Sequence, residues 1–343
     1  MGKILRKIID FVLISLVTLN LCLAFYLSRT INRSTIEKKG SALIVIEKGQ
    51  SPRAIARSLK DYGLIKDKRS FVLAYAFYYS PLFLRAGEYQ FQTPITAKKI
   101  MLEMIAGRIL LHPLTIPEGL TYKEIADLLT QNNYPFQGSF LQACLNPDLI
   151  KDLDPEASNL EGYLFPETYY FSRGVKAEEI VKAMVKQFRA NFGPKEMDRA
   201  QELNLKVREI VILASLIEKE TSRPEEKPLV SAVYHNRLRL RMKLDCDPTL
   251  IYALKNENRF DGNLKLEHKN LKSPYNTYLY PGLPPGPICN PGKDSLLAAL
   301  YPAPVDYLYF VSRNDGSHLF NKSYQEHLRA VRKYQLKNRR NLR

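Results

Sequence analysis

Tryptophan is absent from this chain and cysteine is scarce, with no Trp and four Cys in 343 residues. Four cysteines cannot build a disulfide scaffold. Cys144, Cys246 and Cys289 are widely spaced, and no C-x-x-C occurs. A thiolate zinc site is therefore excluded, and packing is the expected role. His318, Glu326 and His327 lack further ligands at supporting spacing, so neither a metal nor a cofactor is expected. Acids are in deficit, 35 against 51 Lys and Arg, for a net charge of +16. That balance attracts nucleic acid, anionic lipid or another anionic polymer. No zinc finger or RNA-binding signature accompanies it, so nucleic acid is not an expected partner. With 45% hydrophobic and 25% charged residues the chain is globular, and its length suits about two domains.

Long apolar runs are also missing, with one exception. Ile8 to Leu27 is interrupted only by Asp10, Ser15, Thr18 and Asn20, and as a helix it is long enough to cross a bilayer. No small-x-small cleavage site follows, and Leu21 before Cys22 is not the small residue of a lipoprotein signal. A single-pass membrane anchor is expected over 1–27, with a polar, basic linker over 28–40. Orientation stays open, because Lys3, Arg6 and Lys7 on one side face Arg29, Arg33, Lys38 and Lys39 on the other.

Beyond the linker a pattern occurs twice. Ile46-x-x-Gly49-x-Ser51-x-x-x-Ile55-Ala56-x-x-Leu59 returns as Ile116-x-x-Gly119-x-Thr121-x-x-x-Ile125-Ala126-x-x-Leu129, at a constant offset of 70 residues. A strand, a glycine turn, a hydroxyl cap and an apolar helical stripe account for both copies. The pattern also resembles the start of a LysM module, a βααβ unit that binds N-acetylglucosamine polymers. On that resemblance residues 41–150 form a glycan-binding region, with Tyr and Phe replacing the missing Trp as stacking surfaces. A boundary is expected in the polar, turn-rich stretch 147–158. Residues 155–335 read as a second, mainly helical domain, with a frayed basic tail over 336–343.

Within that second half, Val207–Thr221 predicts a buried helix ending in two acids, Glu218 and Glu220. A carboxyl held against apolar surface resists ionisation, which keeps a proton donor loaded near neutral pH. Residues two apart on a helix diverge by about 200°, so the two acids cannot share one pocket. Periodicity does not choose between them.

The set Ala214-Ser215-Leu216-Ile217-Glu218-Lys219-Glu220-Thr221, Val233-Tyr234-His235-Asn236-Arg237-Leu238 and Met242-Lys243-Leu244-Asp245-Cys246-Asp247-Pro248-Thr249 is followed by three more blocks. They are Ser273-Pro274-Tyr275-Asn276-Thr277-Tyr278, Gly282-Leu283-Pro284-Pro285-Gly286-Pro287-Ile288, and Tyr307–Val311 with Gly316-x-His318-x-Phe320. In order and spacing this set resembles the YceG/MltG family of endolytic murein transglycosylases. One departure is visible: Asp245-Cys246 stands where a Gln or similar polar residue is expected before Asp-Pro-Thr.

The resemblance implies an α+β chain with an N-terminal transmembrane helix, a LysM-like region and a mainly helical catalytic domain outside the cell membrane. It implies cleavage of the β-1,4 bond between N-acetylmuramic acid and N-acetylglucosamine, leaving 1,6-anhydro ends. Because the muramyl 6-hydroxyl attacks, one carboxyl can serve as acid and then base. Glu220, followed by Thr221 as in the Glu-Ser pair of other lytic transglycosylases, is the expected acid, with Glu218 in support. Asp247, Tyr275, Asn276, Tyr278 and Glu161 are the expected substrate contacts, Asp247 alternatively a helix cap. Peptidoglycan strands, peptidoglycan synthases and division or elongation proteins are the implied partners. The alternatives are a hydrolytic muramidase and a non-catalytic wall-binding assembly protein.

Overall fold

The structure is a computed structural model describing residues 2–34 and 40–336. The basic tail lies outside the described residues except for its first position. The chain forms two compact units, one of residues 1–112 with 170–175, the other of 113–169 with 176–343. Residues 113–150 belong to the second of these units.

In the first unit, α1 (Gly2–Ile31) is followed by β1 (Gly40–Ile46), α2 (Pro52–Asp61), α3 (Lys68–Tyr78), β2 (Gly87–Thr93) and α4 (Ala97–Ala106). β1 and β2 pair antiparallel with Ile44 opposite Tyr89. Alternation sends Ile44, Ile46, Tyr89 and Phe91 inward, where Ile55, Leu59, Phe71 and Met101 from the helices complete the core. α1 is long and apolar enough to cross a membrane, with a mean hydropathy of 2.3 over its most apolar window. It does not stop at Leu27. Ile31 lies one turn further on the same face, and both are buried in the core of the first unit. The expected linker over 28–40 is thus helical for its first four residues, and 35–39 lie outside the described residues.

The second unit holds β3 (His112–Thr115) apart from His112, then α5 (Tyr122–Gln131), α6 (Gln137–Cys144) and the first half of β4 (Thr168–Phe171). Thr115 and Thr168 hydroxyls meet at 2.9 Å. Helices then dominate: α7 (Ala177–Asn191), α8 (Pro194–Glu202), α9 (Val207–Glu220), α10 (Lys227–Arg239), α11 (Asp247–Asn256) and α12 (Lys293–Leu300). A hairpin of β5 (Tyr309–Ser312) and β6 (His318–Asn321) precedes α13 (Tyr324–Val331).

Both copies of the repeated pattern take the same local shape. Gly49 and Gly119 turn with φ of 87° and 77°, which glycine adopts without strain. Ser51 then caps α2 by accepting from Ala54 N, and Thr121 caps α5 by accepting from Glu124 N. Ile55, Ala56 and Leu59 are buried in the first copy, Ile125, Ala126 and Leu129 in the second. After each helix a backbone bond returns to the same position, Leu64 N to Leu59 O and Tyr134 N to Leu129 O. The copies differ at the third helical residue. Glu124 closes a capping box on Thr121, whereas Ala54 cannot do so for Ser51. Substituting Ser51→Ala is accordingly expected to lower stability by about 1 kcal/mol. Thr121→Ala should cost less, since Glu124 still accepts from the Thr121 backbone N–H. Thermal unfolding of the two variants checks this order, and equal losses would contradict it.

Candidate active site

α9 forms because Glu209 accepts from the Lys206 backbone N–H at 2.8 Å, satisfying an orphan donor of its first turn. Ile210 through Ile217 are all buried, so the helix is apolar all round and sits inside the unit. Thr221 is extended and ends it. Glu218 and Glu220 therefore occupy the last turn, where the helix dipole presents its negative end and disfavours a second negative charge.

The two acids have different neighbours. Glu218 is nearly covered, with 8% of its side chain exposed, and pairs with Lys227 Nζ at 3.2 Å. Its Oε2 also accepts from Gly292 N at 3.1 Å and Ser295 Oγ at 2.6 Å. This is an ion pair in which both carboxyl oxygens are already engaged by donors. Lys227 reaches a second carboxylate, Glu118, at 3.7 Å. Burial, and then the charge of Glu218, raise the Glu118 carboxyl above its usual 4.5.

Glu220 is half-buried, and its Oε1 accepts from the Tyr234 hydroxyl at 2.8 Å. Burial raises its pKa, and the charge of Asp247 adds to this. Hydrogen bonding from Cys246 and Tyr234 and the neighbouring His318 oppose the rise without cancelling it. Burial also holds Tyr234 and Cys246 well above their usual values, so both keep their protons. Glu220 thus faces neutral donors and an acidic neighbour, while Glu218 faces a cation. The difference arises on α10, where Lys227 and Tyr234 stand seven residues apart on one face and meet the two acids in turn.

Asp247 opens α11 without capping it, because Cys246 is the N-cap. It is exposed and accepts from the Tyr278 hydroxyl at 2.6 Å. The Tyr278 ring carries Lys269 Nζ 4.2 Å from its centre. Of the expected substrate contacts, Asp247 and Tyr278 thus belong with Glu220. Asn276 does not present an open side chain. It is fully buried and holds its own loop, donating to Lys269 O and Leu271 O at 2.9 and 2.8 Å and accepting from Tyr278 N at 3.0 Å. Its part is to position Tyr278.

Glu161 and Tyr275 belong to a separate cluster. Glu161 is 2% exposed and accepts from Tyr122 N and Asn290 Nδ2, both at 3.0 Å. It thereby ties down the N-terminus of α5. Asn290 also accepts from Gly162 N and Leu164 N, both at 2.9 Å. Gly162 is required there, since a Cβ would fall 2.6 Å from Pro287 and 2.7 Å from Val211. Tyr275 packs on Tyr252, ring centres 5.0 Å apart, and Tyr252 reaches Glu161 at 3.4 Å. These residues are structural supports and not an open binding surface.

Behind Glu220, Thr221 donates to Glu226 at 3.1 Å, and Glu226 accepts from His318 N at 2.9 Å and pairs with its Nδ1 at 2.7 Å. Burial alone would raise the Glu226 carboxyl, but the bonds from His318 and Thr221 outweigh it and hold the value below 4.5. Glu326 caps α13, and the His327 ring stacks on Tyr309. Among the described residues no group of three His, Cys, Asp or Glu side chains is placed to hold a metal.

Burial pushes the Glu161 carboxyl up from 4.5 to about 8. Its folded value lies above its unfolded one, so its contribution is complete below about pH 4.5 and is lost as pH rises towards 8. Glu161→Gln keeps the shape but cannot ionise. The difference in unfolding temperature between this variant and the parent is expected to move in the variant's favour from pH 5 to pH 8. A pH-independent difference would contradict the burial account.

Comparison with known proteins agrees with this architecture. A profile described as the YceG-like family matches residues 44–333. A protein of Bacillus subtilis (strain 168) named endolytic murein transglycosylase is 31% identical over 314 residues, 87% of this chain and 86% of its own length. One of the same name from Streptococcus pneumoniae serotype 2 is 30% identical over 83% of this chain, which spans 57% of that longer protein. A crystal structure of a yceG-like protein from Listeria monocytogenes superposes with a TM-score of 0.57 at 32% identity, covering 85% of this chain and all of that one.

Proposed function

Because the chain belongs to the YceG-like family, we propose that it is an endolytic murein transglycosylase with Glu220 as the single acid/base. The observation that carries this is the pairing of a half-buried, raised carboxyl with neutral donors at the end of a buried helix. In the first half of the reaction protonated Glu220 gives its proton to the glycosidic oxygen of the departing N-acetylglucosamine, and the bond to the muramyl C1 breaks. In the second the carboxylate takes the proton of the muramyl 6-hydroxyl as that oxygen bonds C1. The product carries a 1,6-anhydro ring, no water is consumed, and the enzyme ends with its proton restored. Asp247 raises the proton affinity of Glu220, while Tyr278 and Asp247 offer hydrogen bonds at the exposed side of the cluster.

The wider reading keeps its parts. α1 anchors the protein in the cell membrane with the second unit outside. The β1–α2–α3–β2 order of the first unit is that of a LysM module, which supports a role in orienting nascent glycan strands beside peptidoglycan synthases and the division or elongation machinery. One observation favours a hydrolytic alternative: a second acid, Asp247, acts on Glu220, and glycosidases pair two carboxylates.

Three substitutions test the scheme on purified peptidoglycan, with products read by mass spectrometry. Glu220→Gln is expected to lower turnover by about 10²–10⁴-fold. Glu218→Gln, which leaves the buried Lys227 with the more distant Glu118 carboxylate in place of its near partner, should mainly lose stability, by up to about 3 kcal/mol. The acid must be protonated to act, so activity falls as pH rises through the Glu220 pKa. Asp247→Asn removes a charge that raises that pKa, so the alkaline fall should move to lower pH with anhydro products retained. Reducing ends in the parent products would overturn the lyase scheme in favour of hydrolysis.

A further inference from the structure

The end of α3 and the loop that joins it to β2 expose an unusual amount of apolar surface. Phe77 and Tyr78 on the last turn of α3 are 45% and 38% exposed, and Leu82 and Phe83 in the loop 51% and 81%. Single exposed apolar residues need no explanation, but four within seven residues mark a contact surface. Their location is given by a hydrogen bond: the Tyr78 hydroxyl donates to Ala24 O of α1 at 2.5 Å. The Phe77 ring meets Tyr78 edge-on at 5.0 Å, and the Tyr75 hydroxyl bonds Leu82 O, so these residues are tied together. At the other end of α3, Ser70 and Phe71 line one cavity with Thr30, Ile31 and Arg33. α3 therefore runs antiparallel along the last turns of α1 and carries the loop back towards its apolar run.

We propose that this loop seats in the headgroup–acyl boundary of the bilayer that α1 crosses, so that the first unit is held against the lipid surface. The proposal rests on the reading of α1 as a membrane helix. The apolar run of α1 ends at Leu27, and Ala24 lies about 4.5 Å before that point along the helix. Tyr78 thus bonds α1 at the depth where hydrocarbon gives way to headgroups, the level at which tyrosine rings concentrate in membrane proteins. Phe83 and Leu82 beside it match the acyl edge. Arg29 and Arg33, just past the apolar run, and Arg85, near the end of the loop, suit the phosphate layer. The burial of Leu27 and Ile31 in the core makes this seat a fixed one, because the helix and the unit share packing.

The absence of tryptophan provides the probe. The full chain is reconstituted in phosphatidylcholine vesicles as two single variants, Phe83→Trp and, in the middle of α1, Leu16→Trp. Acyl chains are brominated either near the carbonyl or near the methyl end. Leu16→Trp should be quenched by bromine near the methyl end. Phe83→Trp should shift to the blue and lose most of its emission to bromine near the carbonyl end. Quenching of Leu16→Trp alone, with Phe83→Trp emitting as in water, overturns the proposal and leaves the membrane helix standing. Quenching of neither removes the membrane reading and the proposal with it. An emission at Phe83→Trp that ignores lipid but responds to soluble murein fragments would assign the loop to glycan instead.

Discussion

A carboxyl group on the last turn of a helix enclosed by its own domain has lost most of its water and faces the negative end of the helix dipole. α9 imposes that condition on Glu218 and Glu220 alike, and the two resolve it differently. Glu218 is matched by a buried cation and two further donors. Glu220 is matched by the hydroxyl of Tyr234 and the thiol of Cys246, both of which stay neutral, and burial outweighs them and the nearby His318. One helix therefore carries a carboxyl tied to a lysine and, two residues later, a group suited to holding a proton.

The duplicated turn bears on the same helix. In the second copy Gly119 donates its backbone N–H to Asn290 O and accepts from Lys219 Nζ at 3.1 Å, and Glu118 shares Lys227 with Glu218. The turn that begins α5 is thus a brace for the end of α9. Glu161 and Asn290 hold that brace from the other side, through Tyr122 N and Leu120 O. A pattern that reads as a glycan-binding half-module has, in this copy, its turn occupied by contacts within its own domain. The first copy sits in the other compact unit.

Much of this was legible from residue order. The glycine, hydroxyl cap and apolar stripe of each copy specify their turns through local chemistry alone, and the run Ile210–Ile217 specifies a buried helix through composition. What residue order could not supply was partnership across the fold. Glu218 and Glu220 look alike until Lys227 and Tyr234 arrive on α10, nine and fourteen residues away. The seven-residue spacing of those two was a signal of one shared helix face. Cys246 was visible as a departure from the expected motif, yet its place beside Glu220 depends on the entry into α11. Asn276 and Glu161 read as ligands because polar residues in loops often are. Asn276 is instead bonded to backbone groups of its own loop, and Glu161 to Tyr122 N and the Asn290 and Tyr252 side chains, which pairing in three dimensions alone reveals. The end of α1 was set short at Leu27 because hydropathy falls there, while tertiary packing of Ile31 carries the helix on.

The claim on which the account turns is that Glu220 holds its proton above the ordinary carboxylate range while folded. Carbon-13 labelling of glutamate, with the side-chain carboxyl shifts followed by NMR through a pH titration, measures it directly. The account requires a resonance that is missing from the Glu220→Gln spectrum and titrates above 4.5. Titration of that same resonance at or below 4.5 would contradict it.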